Sequence, residues 1–255
     1  MWVARPGVRI HCQIVGDGPT VILQTGGAGD GQMWQEYLPF LTGFRVVLLD
    51  HRGRGESSRP DQRSAHAVSE YVADAVEVIE AMAAGAVGFV GYSMGAQVGY
   101  ALAASRPDLV TSLVGLGVIG DEAPDPTEGA ELANFLRTSG MEGLIEAVES
   151  EEGVELPDWL RAQFLATDAE QFALSVEAFS DWTPWPSLTE INCPTLLVAG
   201  ALEDPTHLNE TAADRLRRGR AAWLADCGHV GAFLAVRQQC ELIVPHLRAT
   251  IDAAR

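Results

Sequence analysis

The pentapeptide Gly91-Tyr92-Ser93-Met94-Gly95 places a serine between two glycines, directly after the apolar run Ala86–Val90 and at the start of the small, apolar stretch Gly95–Ala104. A serine hydroxyl is a weak nucleophile unless it is exposed, oriented and given a base. A sharp strand-to-helix turn supplies the first two conditions. It lifts the hydroxyl above a sheet edge, and the glycines permit the turn and a close strand–helix approach. The start of the following helix also favours negative charge developing on a substrate. The motif predicts nucleophilic catalysis at Ser93, provided that a base and an orienting acid arrive from elsewhere.

The base is expected near the end of the chain. His229 lies in Asp226-Cys227-Gly228-His229-Val230, just after the last predicted strand. The other five histidines serve worse: His11 and His51 precede the nucleophile, His66 and His207 fall in loops, and His246 falls in the final helix. The acid should lie between nucleophile and base, since this kind of turn carries its partners in the order serine, acid, histidine. Ala199-Gly200-Ala201-Leu202-Glu203-Asp204-Pro205 offers two carboxylates. Asp204 is preferred because Asp-Pro suits a turn at a strand end. Glu203 is the close alternative, and Asp121 a distant third. An oxyanion needs two main-chain N–H donors. Met94, next to the nucleophile, should supply one, and Gly27 in Thr25-Gly26-Gly27-Ala28-Gly29 the other. That glycine loop has neither G-x-G-x-x-G nor G-K-[ST] form, which argues against a phosphate cradle.

These residues need a frame that brings distant loops together. Thr20–Gln24, Phe44–Leu49, Ala86–Val90, Val110–Leu116, Thr195–Ala199 and Ala221–Leu224 are short apolar runs that read as strands of a parallel sheet covered on both faces. Trp2–Val15 suits an antiparallel hairpin. Ser69–Ala84 carries a helical stripe of Val72, Val76, Ile79 and Met82, with Ser69 as its expected cap. Gly95–Ala104 and Cys240–Ala253 complete an alternating pattern that implies a doubly wound α/β fold.

Asp121–Pro186 breaks that rhythm. Asp121–Asp181 holds sixteen acidic residues against Arg137 and Arg161, and the region carries Phe164, Phe172, Phe179, Trp182 and Trp185. It reads as a helical cap, 121–186, inserted into a core made of 1–120 and 187–255. The substrate pocket is expected between the sheet's C-terminal edge and the cap, with Trp34, Trp182 and Trp185 as candidate lining residues.

Composition narrows the partners. A net charge of −18 repels phosphate backbones and anionic lipid, so neither nucleic acid nor membrane is expected as a partner. All 17 basic residues are arginine, which removes a Schiff-base lysine and a Ser-Lys pair. Cys12, Cys193, Cys227 and Cys240 form no C-x-x-C and no zinc-ligand spacing, so reduced thiols and no metal are expected. Met1–His11 shows no leader pattern, and a cytoplasmic protein, monomeric or a small homo-oligomer, is the expectation.

At this point the chain resembles the α/β-hydrolase superfamily over almost its whole length. Asp50-His51-Arg52-Gly53-Arg54-Gly55-Glu56-Ser57 is similar to the superfamily's D-x-R-G-x-G-x-S turn, which is mainly structural there. Thr25-Gly26-Gly27, nine residues before Trp34, resembles its His-Gly-x oxyanion loop, with threonine in place of histidine. The likeness is greatest to small esterases, 3-oxoadipate enol-lactonases and cofactor-free haloperoxidase-like proteins. Serine at position 93 argues against a haloalkane dehalogenase, which carries aspartate there. The family often sets its acid three residues after the strand-end glycine, which lands on Glu203, whereas alignment on Asp-Pro lands on Asp204. The resemblance implies hydrolysis of small, mainly apolar esters or lactones through an acyl-enzyme, without a cofactor. C–C bond hydrolysis, acyl transfer on the same residues, and a non-catalytic receptor of the same fold are the alternatives.

Overall fold

A computed structural model describes residues 1–117, 125–182, 187–204 and 207–252. Eight strands form one sheet: β1 (Trp2–Arg5), β2 (Val8–Val15), β3 (Thr20–Gln24), β4 (Arg45–Asp50), β5 (Val87–Tyr92), β6 (Val110–Leu116), β7 (Thr195–Gly200) and β8 (Gly219–Leu224). Their spatial order is β1-β2-β4-β3-β5-β6-β7-β8. β1–β2 and β2–β4 are antiparallel, and every other pairing is parallel.

Burial explains the two strand types. β3, β5 and β7 are buried at every position, as strands covered on both faces must be. β2, near the edge, alternates buried and more exposed residues along most of its length. Along β3 and β4, Val21, Leu23, Val46 and Leu48 enter one core while Ile22, Val47 and Leu49 enter the other, following the two-residue period of a strand. The helices α1 (Val68–Ala81), α2 (Met94–Ser105) and α6 (Leu208–Arg215) cover the second face. The first face is covered by a 3-10 helix at Gly31–Phe40, by α7 (His229–Leu234) and by α8 (Val236–Asp252).

Between β6 and β7 run α3 (Pro126–Glu152), α4 (Asp158–Leu165) and α5 (Ala169–Ser180). α3 is kinked at Gly140, whose backbone takes φ 65° and ψ −166°. Leu136, Ile145, Leu160 and Phe164 from these helices join the same core as the sheet's first face. α1 opens at Val68 with Ala67 at its cap position, so Ser69 lies in the first turn rather than at the expected cap. Among the described residues no helix is long and apolar enough to cross a membrane.

Candidate active site

Ser93 stands between β5 and α2 with φ 54° and ψ −122°, a backbone conformation that costs a non-glycine residue about 1–3 kcal/mol. Neighbouring main-chain bonds hold it there: Ser93 N–H donates to the Leu116 carbonyl at 2.8 Å, and the Ser93 carbonyl accepts from Ala96 N–H at 2.8 Å. The glycines of the motif allow close packing. A β-carbon at Gly91 would collide with the Gly95 carbonyl, and one at Gly95 would lie 2.5 Å from the carbonyl oxygens of Gln24 and Thr25. Met94 is the first residue of α2, so its N–H has no acceptor within that helix and is available to an oxyanion.

His229 opens α7 after the loop that follows β8. Its Nδ1 lies 2.5 Å from Oε1 of Glu203, in the turn after β7. The two loops are locked together by Leu202 N–H donating to the Cys227 carbonyl at 2.9 Å. The imidazole stacks on the ring of Tyr92, 4.8 Å away and 24° from parallel. Gly117, at φ +97°, leaves the space the ring needs, since a β-carbon there would lie 2.8 Å from Cε1 of His229. Burial pulls the His229 pKa down, but the hydrogen bond and charge of Glu203, with the charge of Glu152, carry it above its ordinary value.

Asp204, the acid preferred from sequence, points elsewhere. Its buried carboxylate accepts from Leu208 N–H at 2.6 Å, Asn209 N–H at 3.0 Å and the Trp223 indole N–H at 3.2 Å. It therefore ties the start of α6 to β8. The alternative carboxylate, Glu203, is the one that meets the imidazole.

Ser93 lies at the junction of two small cavities. One, of about 190 Å³, is lined by His229, Val230, Tyr92, Leu144, Val148 and Phe164. The other, of about 170 Å³, is lined by Met94, Gln97, Val176, Phe179 and Ser180. Gly27, Ser93, Leu132 and Phe172 belong to both. Of the tryptophans proposed for this role, Trp34 and Trp182 line neither cavity. Trp34 is fully buried and packs edge-on against Tyr37 and Phe233, so it is core. Trp182 is half-buried in a groove with Val68, Val72 and Ala101 on the α1–α2 side. Trp185 lies outside the described residues. Much of the apolar lining instead comes from α3, α4 and α5, whose amphipathic patterns carry no local sign of which apolar side chains reach the serine.

Residues 19–151 match the family model described as the alpha/beta hydrolase fold. The chain belongs to the α/β-hydrolase fold family. Its relatives include the RutD protein of Caulobacter sp. (strain K31), named for an inferred carbamate hydrolase activity, which is 30% identical over 82% of each chain. Among solved structures, an enol-lactonase from Burkholderia xenovorans LB400 superposes with a TM-score of 0.85 at 24% identity, covering 97% of this chain and 100% of its own. An esterase from Exiguobacterium antarcticum gives 0.87 at 20% identity, covering 97% and 98%. At those identities the two structures speak to the fold alone.

Within this α/β-hydrolase fold the D-x-R-G-x-G-x-S turn ties loops together. Asp50 accepts from Gly31 N–H at 2.8 Å and Glu56 N–H at 3.1 Å, and Arg52 pairs with buried Asp74 through two bonds of 2.7 and 2.8 Å. Arg54 Nε–H donates to the Gly27 carbonyl at 2.6 Å, so the turn also holds the glycine loop. Burial lowers the Arg54 pKa to about 10, which leaves it charged near neutrality. Phe172 covers Gly27 so closely that a β-carbon there would fall within its ring. Gly27→Ala is expected to cost about 1–3 kcal/mol by overpacking, a loss of several degrees in Tm. In a Phe172→Ala background the same substitution should cost almost nothing. Equal losses in both backgrounds, measured by thermal unfolding, would reject this account of Gly27.

Proposed function

We propose that the chain hydrolyses small, mainly apolar carboxylic esters or lactones through an acyl-enzyme on Ser93. The observation that carries this reading is the 2.5 Å bond between His229 Nδ1 and Glu203, made by an imidazole that lines the same cavity as Ser93. With Nδ1–H donated to a carboxylate, Nε2 is the ring nitrogen left to accept a proton. Ser93 Oγ attacks the carbonyl carbon as its proton passes to His229 Nε2. Glu203 stabilises the imidazolium that results, and the N–H groups of Gly27 and Met94 hold the tetrahedral oxyanion. Collapse breaks the bond to the leaving oxygen, which takes the proton from His229. Water then attacks the acyl-enzyme, giving a proton to His229, which returns it to Ser93 Oγ as the acid departs.

The cavities suggest the substrate. Each is close in size to an apolar cavity of about 150 Å³ that accommodates benzene, so groups of roughly six carbons fit. Among their described lining residues, neither carries an arginine to pair with a carboxylate, and burying an unpaired charge is costly. On straight-chain p-nitrophenyl esters, kcat/KM should rise about fourfold per methylene up to roughly six acyl carbons, then fall. A substrate carrying a free carboxylate should be turned over at least about tenfold more slowly, given that cost. Equal or better turnover of the carboxylate-bearing substrate would reject the apolar assignment. The RutD relative makes a small carbamate a further member of the panel.

A further inference from the structure

Glu152 is the last residue of α3, where a carboxylate faces the negative end of its own helix dipole. Its side chain leaves that helix and crosses to the turn that carries His229. Oε1 accepts from Val230 N–H at 2.8 Å and Oε2 from Gly231 N–H at 2.9 Å. A β-carbon at Gly228 would lie 2.6 Å from Oε2, so the glycine preceding His229 makes room for this contact. His229 is thus held by two carboxylates from different elements. Glu203 grips the ring, and Glu152 grips the main chain just beyond it.

We propose that Glu152 is a positioning residue for His229, through which the helical insertion between β6 and β7 holds the base in register with Ser93. This rests on the reading of His229 as the general base. α3 supplies Leu132, Leu144 and Val148 to the cavities at Ser93 and Glu152 to the turn of His229. Seating of the insertion therefore bears on the pocket and on the base together. Among the described residues, the titratable groups set against the imidazole are Glu203 from the turn after β7, Glu152 from α3 and the Tyr92 phenol from β5, and Ser93 lines the same cavity. Burial pushes the Tyr92 phenol well above its ordinary value, so it is neutral throughout the working range. Glu152 adds negative charge that favours protonated His229. Removing that charge lowers the His229 pKa, and because the base must be neutral, the acid limb of kcat/KM moves to lower pH.

Two variants test this. Glu152→Gln keeps one accepting oxygen and loses the charge. Its His229 titration, followed by NMR of the imidazole, should move to lower pH, with the acid limb of ester hydrolysis moving in step. Glu152→Ala loses both main-chain bonds, and its kcat should fall about 10- to 100-fold with KM little changed, the scale expected when a catalytic group is misplaced by about 1 Å. If the alanine variant does not fold, the glutamine variant still decides. A lower Tm with an unmoved His229 titration in Glu152→Gln would overturn the proposal and leave Glu152 a packing residue. A parent protein with no Ser93-dependent turnover would instead fault the hydrolase reading, a result separable from the NMR shift.

Discussion

Alanine at position 93 is expected to lower kcat for ester hydrolysis by about 10⁵- to 10⁶-fold, the scale of loss when an acyl-transfer nucleophile is removed. The fold should survive. The elbow is held by the main-chain bonds from Ser93 N–H to Leu116 and from Ala96 N–H to Ser93, and both persist in an alanine. The change in stability should stay within about 0.5 kcal/mol, since no buried volume is lost and alanine strains no more than serine at this φ. His229→Ala should cost nearly as much alone, and combining the two should add little, because nucleophile and base act as one unit. A fluorophosphonate should label the parent at Ser93 and leave Ser93→Ala unlabelled, with the site read by mass spectrometry of the tryptic peptide. Turnover of Ser93→Ala close to the parent's would remove Ser93 from the chemistry. A parent that neither turns over esters nor takes the label, yet binds small apolar ligands, would favour a receptor on the same frame.

The parts of this arrangement that are local in sequence are the parts legible there. β3 and β6 match the runs Thr20–Gln24 and Val110–Leu116 residue for residue, because a strand covered on both faces is mostly apolar along its length. The serine turn is legible because its glycines answer to contacts within five residues and to the adjacent strand end. The 3-10 helix at Gly31–Phe40 carries Met33, Trp34, Tyr37 and Leu38 at helical spacing, but spacing does not tell which neighbour that stripe meets, so Trp34 reads from sequence as a candidate lining residue. It is instead sealed between Tyr37 and Phe233, a residue nearly two hundred positions away. The cavity lining fails for the same reason. Leu132, Val148, Phe164 and Phe172 sit on three helices, and periodicity shows which face of a helix is apolar but not which neighbour that face meets. Glu152 is one of sixteen acidic residues in its region, and only the fold sets it against the N–H groups beyond His229.

The neighbouring carboxylates at 203 and 204 give the second large effect, and the two should separate cleanly. Glu203→Gln removes the charge beside the imidazole and can present an N–H where Nδ1–H now donates. That favours the tautomer with its proton on the wrong nitrogen, and kcat should fall about 10³- to 10⁴-fold with KM little changed. Glu203 also helps hold the His229 pKa above its ordinary value, so the residual activity should lose its acid limb at lower pH than the parent does. Tm should change little, since the main-chain bonds of the turn, such as Glu203 N–H to the Gly200 carbonyl at 3.1 Å, remain. Asp204→Asn should do the reverse. Its buried carboxylate accepts three hydrogen bonds, and an amide can accept through one oxygen only, which leaves a buried donor facing another donor. The cost should be about 1–3 kcal/mol, or several degrees in Tm, with kcat of the folded protein within about threefold of the parent. The sequence favoured Asp204 because Asp-Pro marks a turn, and the residue does serve a turn, by fastening α6 to β8. Turn chemistry and proton-transfer chemistry ask for the same side chain at adjacent positions, and the direction of the side chain tells them apart. A kcat collapse in Asp204→Asn, with Glu203→Gln nearly as active as the parent, would return the acid to 204 and require the turn after β7 to rearrange during turnover.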